Sequence, residues 1–222
     1  MELAPQLLLT VLMAVGLVVV SLWIDRYRRE EAAAPSFGSA EGTRDGYVDG
    51  EKPAGITRWL TTVDHKDIGI LYGLFAVTIF AIAGIEVLLM RIELSTPDTL
   101  FLDPATYNAL LTSHGIAMLF LFGTPIIAAF ANYLVPLVIG ADDMAFPRIN
   151  AIAFWLLPPA ALLIFAGFLA EPLGLFGPPQ TGWTMYTPLS LGEGGPSGDA
   201  VGGTGVDLML LGLHLSGVAT TM

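Results

Sequence analysis

The sequence predicts an all-α fold, a polytopic transmembrane helix bundle of about five spans. The first reason is composition. The 222 residues are 54% hydrophobic and 13% charged, with a mean hydropathy of +0.70, the balance of an integral membrane protein and not of a soluble domain. The second is the long apolar run over residues 116–139, broken only by Thr124, Asn132 and Tyr133 among uncharged polar types. A run of that length crosses the hydrocarbon as a helix. The third is that acids and turn residues collect between such runs.

Residues 5–24 form the first apolar stretch, ended by Asp25-Arg26-Tyr27-Arg28-Arg29. A secretory signal has a charged start and a cleavage site after its core. This segment starts Met1-Glu2 and ends in arginines, so residues 1–29 read as a retained extra N-terminal helix, with a signal peptide as the alternative. Residues 30–55 are rich in Ala, Gly, Ser, Pro and acids, an acidic flexible linker by composition. Residues 56–222 read as one further domain. It opens with Ile56, Trp59, Leu60 and Val63 at helical spacing beside Arg58 and Lys66, which predicts a short interfacial helix with Trp59 at headgroup level. His65, next to it, reads as a surface or loop-capping histidine.

The second span covers residues 68–90, with Glu86 inside it and Arg91 at its end. Five residues separate these two by about 140° around a helix, so they need not pair. Residue type alone makes Arg91 a snorkelling cation. A loop holding Pro97 and Pro104 leads to the central helix. There Pro125 predicts a kink, and Gly115 and Gly123 leave room for a flat macrocycle or a close helix. From His114 to Asp143 a helix would rise about 43 Å, which sets a histidine near one face and a carboxylate near the other. Residues 149–170 cross again, with Pro158-Pro159 as a kink. Residues 171–205 form a Gly- and Pro-rich stretch with two aromatic anchors, Trp183 and Tyr186. Residues 206–222 begin a fifth helix, and the sequence ends within it.

Net charge is −11 and there is no cysteine. The acidic surface repels nucleic acid, and disulfides and thiolate metal sites are excluded within this chain. Cations set the orientation: Arg26, Arg28, Arg29, Arg44, Lys52, Arg58, Lys66 and Arg148 lie on one side, and only Arg91 on the other. The expected arrangement is a multi-pass cell-membrane protein with its N-terminus outside. His114 then lies toward the outer side and Asp143 at the cytoplasmic end.

Several long motifs in order carry a family resemblance. They include Thr62-Val63-Asp64-His65-Lys66-Asp67-Ile68-Gly69, then His114-Gly115-Ile116-Ala117-Met118, then Asn132-Tyr133-Leu134-Val135-Pro136-Leu137. Asp142-Asp143-Met144-Ala145-Phe146-Pro147-Arg148 follows, with Phe154-Trp155-Leu156-Leu157-Pro158-Pro159, Thr181-Gly182-Trp183-Thr184-Met185-Tyr186 and Leu213-His214-Leu215-Ser216-Gly217. Over roughly residues 55–222 the chain resembles subunit I of the haem-copper oxidases, the mitochondrial-like class, and is similar to versions from salt-loving archaea. The resemblance implies one extra N-terminal helix plus the first four helices of that subunit's core. It also implies the N-terminal portion of a respiratory terminal oxidase, cytochrome-c-type, that reduces oxygen to water with proton uptake and translocation.

By the same resemblance His114 matches an axial ligand of the low-spin haem, Arg91 a residue hydrogen-bonded to that haem, and Trp183 a residue near its propionates. An interfacial aromatic stays open for Trp183. Asp143, with Asn132 at −11 and Asn150 at +7, matches a proton-uptake pathway that starts at an aspartate. Asp142 reads as a solvated loop acid, and Glu93 resembles an outer-face cation-binding acid. His214 matches no copper ligand and reads as a core histidine hydrogen-bonded between helices. The second axial ligand and the ligands of the second haem and copper are absent from these residues, so the 222-residue chain alone is expected to be inactive. Partners implied are subunits II and III, the lipid bilayer, and a cytochrome c or small copper protein as donor. Quinol-oxidising relatives carry a histidine, a glutamine, an acid and an arginine where this sequence has Thr106, Ala109, Glu86 and Ile82. One match in four favours the soluble donor and leaves quinol as the alternative. A truncated, non-catalytic membrane protein or an unrelated transporter-like bundle is the competing class. The DNA downstream of Met222 separates the two.

Overall fold

The computed structural model describes residues 55–98, 101–187, 189–191 and 203–222. The extra N-terminal helix and all of the linker but Gly55 lie outside the described residues. Those described are helical, with no strand among them.

Helix α1 (Ile56–Thr61) is the short element expected at the interface. Arg58 lies over the Trp59 ring at 5.4 Å. Its guanidinium also grips the buried Asp67 with two bonds, of 3.1 and 2.8 Å, and the Thr62 hydroxyl donates to the same carboxylate. This charge-assisted fork fixes α1 to the start of α2 (His65–Glu93), where Asp64 caps the first turn through the N–H groups of Lys66 and Asp67.

The central element is longer than the apolar pattern suggests. It starts at α3 (Pro104–Ile116), passes through a π-helical stretch (Ala117–Gly123) and continues as α4 (Thr124–Ile139). Asp103 caps α3, and Pro104 sits in the first turn, where its missing N–H costs nothing. The expected kink at Pro125 is resolved as the π turn. Proline has no N–H to give to the preceding turn, and the Thr124 N–H bonds Leu119 O, five residues back. Phe120 O, five residues before Pro125, is met from outside by the Ser216 hydroxyl at 3.3 Å. Gly140, in the left-handed region at φ 71°, ends α4. Asp143 therefore lies in a loop beyond the helix, and the continuous helix from His114 to Asp143 is corrected on that point.

Helix α5 (Pro147–Ile164) runs through Pro158 and Pro159. Phe165 then turns the chain into the short α6 (Ala166–Ala170), so the expected single crossing over residues 149–170 is two pieces. Helix α7 (Thr204–Thr221) packs on α5. Its Gly212 lies so close that a Cβ there would stand 2.7 Å from Ala160 O. Among the described residues, three helices are long and apolar enough to cross a membrane: His65–Glu93, Pro104–Ile139 and Pro147–Ile164. Their cores hold Ile79, Met90, Ile116, Leu121, Phe165 and Met209 at the α3 end, and Ile68, Tyr72, Ala129 and Phe154 at the α4 end. Apolar side chains such as Ile127, Phe130, Val138 and Leu162 stay exposed. That suits helices whose solvent is lipid.

Candidate functional site

His114 lies ten residues into α3, about 15 Å along it at 1.5 Å per residue. It is therefore inside the bundle and not at a helix end, because the helix begins at Pro104. Its Nδ1–H donates to Ala83 O on α2 at 2.9 Å. A carbonyl can only accept, so Nδ1 carries the hydrogen, and the neutral ring with this tautomer has its lone pair on Nε2. One turn further along α2, Glu86 Oε1 accepts from the Ser113 hydroxyl at 2.8 Å. The Ser113-His114 step is thus clamped at two points, Ala83 and Glu86, on one face of α2. Glu86 has no exposed surface, and its Oε2 has no partner among the described residues.

The open backbone at Gly115 is used by Trp183 and not by a second helix. A Cβ on Gly115 would sit 3.3 Å from Trp183 Cβ. The loop that carries Trp183 is pinned to α3 because the Gly182 N–H donates to the Thr112 hydroxyl at 2.9 Å. The structure thus brings His114 and Trp183 to one place, with Trp183 about half exposed. Arg91 is exposed at the end of α2, and Glu86 Oε2 has no partner among the described residues. Glu93 is buried and accepts the N–H groups of Phe101 and Leu102, both at 3.0 Å, so its carboxylate ties down the α2–α3 loop.

A second group of residues gathers at the α4 end. Asn132 is buried, and its Nδ2 donates to Ala128 O one turn back at 2.9 Å. Its Oδ1 has no partner among the described residues, and neither has the Nδ2 of Asn150. Both asparagines line one cavity of about 350 Å³, with Tyr72, Met144 and Phe146. An orphan acceptor and an orphan donor in one cavity of this volume are what buried water needs. Asp143 is half-buried and precedes the lining residue Met144, whose N–H it accepts at 2.7 Å. It is not the cap of α5, whose N-cap is Phe146. It makes no ion pair with Arg148 among the described residues. Asp142 is exposed, as a solvated loop acid should be.

Two histidine readings are corrected. His65 is neither at the surface nor a cap: it is 2% exposed, and its Nδ1–H donates to Asn132 O at 2.9 Å. His214 is not held between helices. Among the described residues it is exposed and donates to Leu210 O on its own helix at 2.7 Å. No group of three or more His, Cys, Asp or Glu side chains placed to hold a metal occurs among the described residues.

The helices long and apolar enough to cross a membrane define a polytopic helical membrane protein in which the His114 ring is tied to the neighbouring helix. Known proteins make that class specific. The family model for cytochrome c and quinol oxidase polypeptide I matches residues 67–222, and the chain belongs to this family of membrane-bound haem-copper respiratory oxidases. A cytochrome c oxidase polypeptide 1 from Halobacterium salinarum is 56% identical over 221 residues, which is 99% of this chain and 35% of that protein. A cytochrome c oxidase subunit 1 from Thermostichus vulcanus is 56% identical over 129 residues, 58% of this chain and 22% of its own length. A probable cytochrome c oxidase subunit 1-beta from Nocardia farcinica is 44% identical over 173 residues, 78% of this chain and 28% of its own. The chain thus spans about a third or less of the length of these relatives. The halobacterial relative agrees with the expected similarity to versions from salt-loving archaea.

Proposed function

We propose that this chain is the part of a terminal oxidase subunit I that holds the low-spin haem through His114 and admits protons from the cytoplasmic side along Asp143, Asn132 and Asn150. The observation that carries the reading is the His114 Nδ1–H bond to Ala83 O at 2.9 Å. It orients the ring and fixes the tautomer, as the partner of a metal-bound histidine does. The residues fit the group: an imidazole held through Nδ1 with no bond to its Nε2 among the described residues, a residue without a side chain beside it, and an indole seated on that residue. When bound, a low-spin haem supplies a one-electron carrier whose potential is set by ligands, hydrogen bonds and burial.

The residues of this chain do the rest. His114 would hold the haem iron. Trp183 and Arg91 stand as groups for the haem periphery. Glu86 and Ser113 hold the α2–α3 contact beside the ligand. Asp143 collects protons at the membrane face, where the half-buried carboxyl stays within reach of water. Asn132 and Asn150 offer their orphan amide atoms to water in the cavity between them. The remaining subunit I segments, with the second haem and copper, and subunits II and III complete the enzyme. Domain boundaries follow the sequence reading, with residues 1–29 as an extra helix, 30–55 as a linker and 56–222 as the oxidase portion. The chain lies in the cell membrane with its N-terminus outside. A cytochrome c or small copper protein is the favoured donor, since of the four positions Thr106, Ala109, Glu86 and Ile82 only Glu86 matches quinol-oxidising relatives. Glu93 stands as an outer-face cation acid only in addition to its loop contacts.

The test is oxygen uptake by membranes carrying the full-length gene product. The reading predicts cyanide-sensitive uptake with reduced cytochrome c, lost in His114→Ala although the subunit is still made and inserted. Uptake retained in His114→Ala would overturn it. The 222-residue chain alone is expected to show no uptake.

A further inference from the structure

Pro136 lies inside α4, four residues after Asn132. In an α-helix the carbonyl of residue i accepts from the N–H of residue i+4, and proline has no N–H. Pro136 therefore strips Asn132 O of its ladder donor, at a buried position in a membrane-crossing helix, where such a loss is expensive. The missing donor arrives from another helix: the His65 Nδ1–H reaches Asn132 O at 2.9 Å. The approach is close because of Gly69, one turn after His65 on the same face of α2. A Cβ there would lie 3.0 Å from the Tyr133 N and 3.1 Å from Ala129 O, so the glycine favours the close approach of the two backbones beside the imidazole.

We infer that His65 is a positioning residue that replaces the backbone donor removed by Pro136, and so fixes where the Asn132 side chain presents its Oδ1 to the cavity shared with Asn150. The part of this that concerns proton entry rests on the function proposed above. The backbone part does not. Asn132 is held by His65 at its backbone O and by Ala128 O at its Nδ2, and its side-chain Oδ1 is left without a partner among the described residues. Without the imidazole, the chain around Asn132 must twist or admit water to satisfy its carbonyl, and Oδ1 moves with it.

The experiment is a double-mutant cycle in the full-length oxidase: His65→Ala, Pro136→Ala and the double variant. Pro136→Ala returns an N–H to the helix, so Asn132 O no longer needs histidine. Leaving a buried acceptor unsatisfied corresponds to about a tenfold effect. His65→Ala is expected to slow proton uptake during oxygen reduction with haem spectra unchanged, and to shift the stability equilibrium by about tenfold. The double variant is expected to recover most of that loss. Equal slowing with and without Pro136→Ala, or no slowing in His65→Ala, overturns the inference. If His65→Ala fails to assemble, assembly of the double variant supports the inference and its failure refutes it. Thermal inactivation half-lives of the same set read the His65–Pro136 coupling independently of protons. Proton uptake in Asp143→Asn, read separately, distinguishes failure of the pathway from failure of the His65 role.

Discussion

At the scale of single residues, the carboxylate of Asp103 shows how one side chain starts the central helix. Partial burial alone would raise its pKa. The Thr106 hydroxyl and the N–H groups of Thr106 and Ala105 outweigh that and hold it below the ordinary value. A depressed pKa in the fold means that the stability is present above the unfolded-state pKa and lost as pH falls through the folded one. Asp103→Ala should therefore destabilise the purified protein by about 0.5–2 kcal/mol at neutral pH. Its gap from the native protein should narrow as pH falls through the carboxylate range, read from thermal unfolding in detergent. A gap independent of pH would show that the loss is packing and not the cap. Sequence order made His114 legible, because motifs on both sides single it out. Its depth was legible only in part: Asp103-Pro104 is a helix-start signal, yet a count that began at the histidine set it at the helix end. His65 was misread for a different reason. Pro136 announces an orphan carbonyl at Asn132, but nothing in the sequence says which helix supplies the donor.

Among the elements, glycine and proline do opposite jobs. Proline at 125 and 136 removes donors from the central helix, and Ser216 and His65 replace them from neighbouring helices. Glycine lets those neighbours come near, as small residues do at membrane helix contacts. Gly212 is the tightest contact of α7 on α5, with the position of a Cβ 2.7 Å from Ala160 O and 2.9 Å from Ile164 Cγ1. Gly212→Ala should cost about 1–3 kcal/mol through overpacking, whereas Gly84→Ala, with nothing within 4 Å, should be neutral or slightly stabilising. Thermal midpoints of the two variants check this, and equal midpoints would remove the special role of Gly212. Helix existence was legible from hydropathy alone. The π turn ahead of Pro125 was not, because a proline in an apolar run predicts distortion without saying whether the chain bends, breaks or widens.

For the whole molecule, the bundle keeps its two polar groups apart along α2. His65 and Ala83 are 18 residues apart on one helix, about 27 Å, so the imidazole clamped to Ala83 and the asparagine held by His65 lie toward opposite ends of the span. That separation suits the proposed function, in which electrons move on one side and protons enter from the other. Asp143→Asn in the full-length enzyme keeps a side chain that can accept the Met144 N–H but cannot carry a proton. It should leave haem spectra intact and strongly reduce both turnover and proton uptake, because hydrocarbon makes any unassisted route expensive. Normal proton uptake in this variant would leave Asp143 as a loop residue. The asparagine spacing around Asp143 was legible in the sequence, while the shared cavity that joins Asn132 to Asn150 depends on how α4 and α5 pack.

The ligation of low-spin haem iron by His114 is tested most directly by the reduced-minus-oxidised optical spectrum of the full-length oxidase carrying His114→Ala, recorded beside the native enzyme at equal subunit content. Loss of the low-spin haem band, with the subunit still inserted, is the predicted result. A low-spin band of unchanged position and intensity contradicts it, and would reduce the bond between His114 and Ala83 to a helix–helix contact.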